Sequence, residues 1–110
     1  MFGNKFSKIE KMVEKNQGEK LEALLKDKDE AVVLAAIDGL GKCTGDVPFN
    51  ALVPLVHDPN AQVRIHAIGA LGVMGVSKSR TFLLHQRDAE KDPKVLEAIA
   101  AALHQIDVKV

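Results

Sequence analysis

Two stretches of this chain repeat one another at a fixed distance of 31 residues. Residues 27–41 lie over residues 58–72, so that Val32, Ala36, Leu40 and Gly41 fall on Val63, Ala67, Leu71 and Gly72. A third copy follows 32 residues later, with Asp92 and Pro93 ahead of Val95, Ile99 and Leu103, and the extra residue fits in the preceding turn. A period in this range marks a repeat architecture: one unit cannot bury its apolar face alone, so neighbours must stack.

Each copy has the same grammar. An apolar stretch (Leu21, Leu24, Leu25; then Leu52, Leu55, Val56; then Phe82, Leu83, Leu84) leads to a short polar punctuation, followed by apolar residues at i, i+4 and i+8. That spacing predicts two helices per copy. Asp27, Asp58 and Glu90 occupy the turn between them, and Asp29, Asn60 and Asp92 stand where a side-chain oxygen can accept from the free N–H groups of the second helix. Gly45, Asp46 and Pro48 read as another stop, cap and start, while Pro54 should bend its helix or delay its beginning. No Asn-Gly or Asp-Gly hairpin joins alternating apolar runs, so strand signals are absent.

With 110 residues and 46% hydrophobic side chains, the chain suits one compact domain, 1–110. Fifteen basic side chains balance 15 acidic ones, and the balance holds within residues 1–30, so no basic arm is available for a phosphate backbone. Met1 to Lys11 has no apolar core of signal-peptide length, no apolar run approaches the roughly 20 residues of a membrane helix, and Cys43 is the one cysteine. A cytoplasmic protein is expected, with no membrane contact.

The core pattern of Asp58, Val63, Arg64, Ala67, Ala70, Leu71 and Gly72 resembles HEAT-like repeats of the short, phycobilin-lyase-associated type. The first copy departs from it with Val33 in place of Arg, and the third with Leu96 there and no closing Gly. The resemblance covers about residues 18–106 and implies an all-α fold: a right-handed α-solenoid of about three helix pairs (18–44, 46–75, 78–106) capped by a helix over 4–16.

Projected at 100° per residue, Val32, Ala36 and Leu40 share a stripe, as do Val63, Ala67, Leu71 and Met74, and Val95, Ile99, Leu103 and Ile106. These stripes are the expected core, with Ile37, Ile68 and Ala100 flanking them against the neighbouring repeat. The opposite face carries Leu34, Ala35 and Asp38; Ile65, His66 and Gly69; and Glu97, Ala98 and Ala101. By resemblance this strip lines the concave side of the stack. Its small side chains would let another backbone approach, and Leu34 with Ile65 would offer apolar contact.

Catalytic readings find little footing. HEAT-like deoxyhypusine hydroxylases carry paired His-Glu dipeptides, and none occurs here; His66 and His104 also stand too far apart along the helix axis to share a metal. The His57-Asp58 pair falls at a helix end, where a His is favoured for its position alone. Ser7, Ser77 and Ser79 lack an activating base, Cys43 follows a helix end of negative partial charge, and Gly69, Gly72 and Gly75 lie in or at the end of a helix instead of after a strand. No cofactor, metal or catalytic residue is expected. Arg64 is read as structural, bonding an inter-repeat turn such as that at Asp27 or Asp58.

The leading expectation is thus a non-catalytic scaffold that binds a protein partner, or a second copy of itself, through the strip or an end of the stack. The last helix, running to Ile106 and Val110, has no charged capping helix over it and could be covered by a second copy. An accessory subunit of a phycobilin-lyase-like enzyme is the first alternative, weakened by the absence of Trp and Tyr. Nucleic-acid binding like that of the HEAT-like DNA glycosylases is the second. It requires a basic face, whereas the strip holds Asp38 and Glu97 and no Lys or Arg.

Overall fold

The computed structural model describes residues 4–109, so Met1 and Val110, named above, lie outside the description. The described residues form seven α-helices and no strand: α1 (Lys5–Glu14), α2 (Gly18–Ala23), α3 (Glu30–Gly41), α4 (Asp46–Leu52), α5 (Ala61–Met74), α6 (Ser79–Ala89) and α7 (Pro93–Lys109). Two of the first helices, α2 and α4, tighten into 3-10 turns at Leu24–Lys26 and Val53–His57. In the second case the cause is Pro54, which lacks an N–H and crowds the preceding turn.

The polar punctuation closes in the same way three times. Asp29, Asn60 and Asp92 each accept from the N–H two residues ahead, at 3.0, 2.8 and 2.9 Å, satisfying a free donor of α3, α5 and α7. Asp27, Asp58 and Glu90 each accept from the N–H of that capping residue, at 2.8, 3.0 and 3.1 Å. One difference from expectation is at Asp46: the cap position of α4 is Gly45, at φ 103°, and Asp46 opens the helix instead. There its carboxylate faces the positive end of the helix dipole.

The second helices make one row, with α3 against α5 and α5 against α7, and α1 packs on α3 to begin it. Helices α2, α4 and α6 make the other row, and the whole measures 43 × 28 × 18 Å. Between the rows lies a continuous core that includes Leu21, Val32, Leu40, Leu52, Val56, Leu71, Leu83, Val95, Ile99 and Ile106. Met74 and Leu103 are only half-buried at the edge of it.

Two glycines set the spacing of the row. A Cβ on Gly41 would stand 2.8 Å from Ala70 Cα and 2.9 Å from its carbonyl oxygen, and a Cβ on Gly72 would stand 3.0 Å from Ala102 Cα. The pairs Gly41·Ala70 and Gly72·Ala102 are one contact, displaced by a repeat. At the position matching Ala70 and Ala102, α3 has Gly39, over which Val13 and Leu21 pack. Next in the Gly41 and Gly72 series comes His104, which is exposed, and in the series of Ile37 and Ile68 comes Ala100. Ile37 and Ile68 are fully buried, but Ala100 is exposed, against expectation, because among the described residues no helix packs on that face of α7.

Gly41→Ala should therefore push α3 and α5 apart and cost about 1–3 kcal/mol, the usual range for overpacking. Thermal unfolding checks this: the melting temperature is expected to fall, although Ala is the better helix former.

Candidate functional site

The nine strip residues do not form one uniform surface. Leu34, Ala35, Ile65 and Ala98 are half-buried and pack on the core, so Leu34 and Ile65 are not the free apolar contacts their position suggested. Asp38, Glu97 and Ala101 are exposed. His66 Nδ1 lies 2.9 Å from Asp38 Oδ1, which ties α5 to α3 across the strip. Because a carboxylate only accepts, Nδ1 carries the proton of that bond.

Two adjoining grooves run along the row. One of about 380 Å³ lies between α1 and α3, with Ile9, Val13, Ala35, Asp38 and Lys42 in its walls. The other, of about 420 Å³, is lined by Asp38, Lys42, Gly69, Ala70, Val73 and Gln105 from α3, α5 and α7. The structure thus brings Ala35, Asp38 and Gly69 of the predicted strip to a groove; Leu34, Ile65, His66, Glu97, Ala98 and Ala101 line neither. Lys42, Val73 and Gln105 were not foreseen. Each stands four residues after a strip member (Asp38, Gly69, Ala101), so continuing the same period by one turn finds all three.

Gly69 has no structural need to be glycine. A Cβ there would meet nothing within 4 Å, whereas Gly41 and Gly72 are closed over by the next helix. Among the described residues only Gly45 and Gly75 are glycines with positive φ, so the backbone at Gly69 does not require it either. Relative to Ala, a glycine inside a helix costs about 1 kcal/mol. The exposed Val73, one turn on, adds an apolar side chain with 48% of its surface free.

Arg64 joins the second and third repeats. Its Nε and Nη2 each donate to one Glu90 carboxylate oxygen at 3.0 Å, and Nη1 donates to the carbonyls of Asp58 and Pro59 at 2.9 and 3.2 Å. The expected turn at Asp58 is a partner through its backbone; Asp27 is instead bonded by Lys5 Nζ at 2.5 Å, and the carboxylate of Arg64 is that of Glu90, one turn further along the stack. Glu90 also accepts from Gln86 Nε2 at 3.0 Å, which turns Gln86 Oε1 toward His57 Nδ1 at 2.6 Å. That orientation makes His57 Nδ1 the donor. His57 is therefore occupied by Gln86, and its neighbour Asp58 by the turn.

Burial at 3% side-chain exposure opposes ionisation of Glu90, but the bonds from Arg64, Gln86 and the Asp92 N–H outweigh it and hold the carboxyl at about 2. Asp27 is likewise held below the usual range, chiefly by Lys5. Burial pushes the Cys43 thiol up, away from nucleophilic use. Ser79 Oγ is fully buried without a partner. Among the described residues no group of three His, Cys, Asp or Glu side chains could hold a metal ion, and no helix is long and apolar enough to cross a membrane.

A family model described as HEAT repeats matches residues 18–104. The chain belongs to the HEAT-repeat family. Repeats of this family generally serve as protein-interaction scaffolds. A search of the curated proteins finds no match.

The Arg64–Glu90 pair gives this HEAT-repeat protein a calculable acid response. A carboxyl whose folded value lies below its unfolded value of 4.5 contributes stability above that pH, and the contribution is lost as pH falls toward about 2. Arg64→Leu is expected to lower the melting temperature at neutral pH, the isolated Glu90 charge costing about 3 kcal/mol. Glu90→Gln should flatten the fall in stability between about pH 4.5 and 2; chemical denaturation across that range checks both variants.

Proposed function

We propose that this protein is a non-catalytic scaffold that receives an extended segment of a partner protein in the groove floored by Gly69. The observation that carries this reading is a helix-weakening residue at a site where a Cβ would meet nothing within 4 Å. Gly69 fills no turn, and among the described residues it relieves no contact, so its missing Cβ leaves room for the close approach of a backbone from outside.

The groove offers what such a segment needs. Asp38 on α3 and Lys42 at its C-terminal cap present opposite charges four residues apart, Gln105 can both donate and accept, and Val73 supplies an apolar contact. A neutral, mixed lining suits a polypeptide of both donors and acceptors better than a polyanion. Among the described residues its lining holds no Ser, Thr, Cys or His, and Asp38 is bonded to His66.

Panning a library of extended peptides on the purified protein, followed by titration, tests this reading. Bound peptides should shift the amide resonances of Asp38, Gly69, Val73 and Gln105, and Gly69→Arg should weaken them at least tenfold. Gly69→Ala should raise stability by about 0.5–1 kcal/mol, the reverse of Gly41→Ala. Peptides that keep full affinity for the Gly69→Arg variant would count against the groove.

A further inference from the structure

The face that α7 turns away from the core carries Pro93, Glu97, Ala100, Ala101, His104 and Val108, all exposed, with Val108 68% free. At Ala100 and His104 it continues the positions (Ile37 and Ile68, Gly41 and Gly72) with which α3 and α5 receive the next helix of the row, while Glu97 and Ala101 continue the strip of Leu34 and Ile65, Asp38 and Gly69. Its contents differ from theirs in a directed way. Where Gly41 and Gly72 admit a neighbouring backbone so closely that a Cβ would stand 2.8 or 3.0 Å from its Cα, α7 holds the imidazole of His104, so a helix cannot dock there as α5 docks on α3. Where α3 and α5 have Ile37 and Ile68, α7 has Ala100.

A head-to-tail continuation of the stack is thus obstructed, but a two-fold arrangement is not. Residue pairs placed symmetrically about the point between Ala100 and Ala101 are complementary: Glu97 mirrors His104, and Pro93 mirrors Val108. We propose that this face binds a second copy of the chain through an antiparallel pairing of α7 with α7. At the dyad Ala100 of each copy meets Ala101 of the other and lets the helices come close. On either side the His104 imidazole N–H of one copy donates to the Glu97 carboxylate of the other, so each dimer holds the pair twice. A shared patch of this kind is isologous and closes at two copies.

The contact is small. One helix face falls short of the roughly 800 Å² per partner of a standard interface, which makes the dimer weak, with dissociation at about 100 µM or above. The proposal does not rest on the Gly69 groove, since none of these six residues lines it.

Sedimentation equilibrium of the full chain from about 10 µM to 1 mM tests it. The expected result is a monomer–dimer equilibrium without larger species. Glu97→Lys and His104→Glu should each raise the dissociation constant at least fivefold, because each removes the pairing and the second sets like charges across the dyad. Combining them in one chain should restore it. Far-ultraviolet circular dichroism and melting temperatures should match the parent, since both side chains are exposed. A single-chain mass at 1 mM overturns the proposal, as do oligomers that keep growing with concentration, or single variants that dimerise as well as the parent.

Discussion

The distance between successive helices of the row is set where backbone meets backbone. At Gly41·Ala70 and Gly72·Ala102 the glycine has no room for another carbon, so the row cannot be filled there without moving the helices apart. Everything else is built around that spacing. It places Ile37 and Ile68 in full burial, and it brings Asp38 within bonding distance of His66. It also brings the C-terminal halves of α3, α5 and α7 close enough to form a shallow groove in place of a gap.

A second device works at the other end of these helices. Three acidic side chains and three caps, at Asp27 and Asp29, Asp58 and Asn60, and Glu90 and Asp92, close the turns by one pattern of backbone hydrogen bonds. Two of the acids are also tied to the preceding helix of the row, Asp27 by Lys5 and Glu90 by Arg64. At the middle step the position of Arg64 is held by Val33, and the link is made instead by Glu30 with the Asn60 amide. At the first step Asn16, at φ 54°, adds another tie: its side chain accepts from the Thr44 N–H at 2.9 Å and donates to Thr44 Oγ1 at 3.2 Å.

Architecture was legible in the sequence because it repeats. A stripe such as Val32, Ala36 and Leu40 is ambiguous alone and decisive when it recurs 31 residues later, and the caps follow from side-chain chemistry that acts over two residues. Long-range pairing was less legible. Nothing local distinguishes Glu90 from Asp27 as the carboxylate for Arg64, since the choice depends on which turn the stack places beyond α5. The strip residues differ in what surrounds them: Leu34 and Ile65 are half-buried against the core, whereas Asp38 and Gly69, one turn further along, line the groove. Three glycines in one pattern also looked alike. Only the neighbouring helices separate Gly41 and Gly72, which are spacers, from Gly69, where a Cβ would meet nothing within 4 Å.

The result is a row whose spacing is set by backbone contact, with a shallow groove along it. If backbone contact at the glycines is what holds it, stability should be greatest where that contact occurs on both sides, in α5, and should decline toward α1 and α6. Native-state hydrogen exchange measures this residue by residue. The account predicts that amides near Ala70 and Gly72 exchange only by global unfolding, while those of α1 and α6 open at lower free energy. Equal protection of α6 and α5, or exchange of the Ala70 region through local opening, would contradict it.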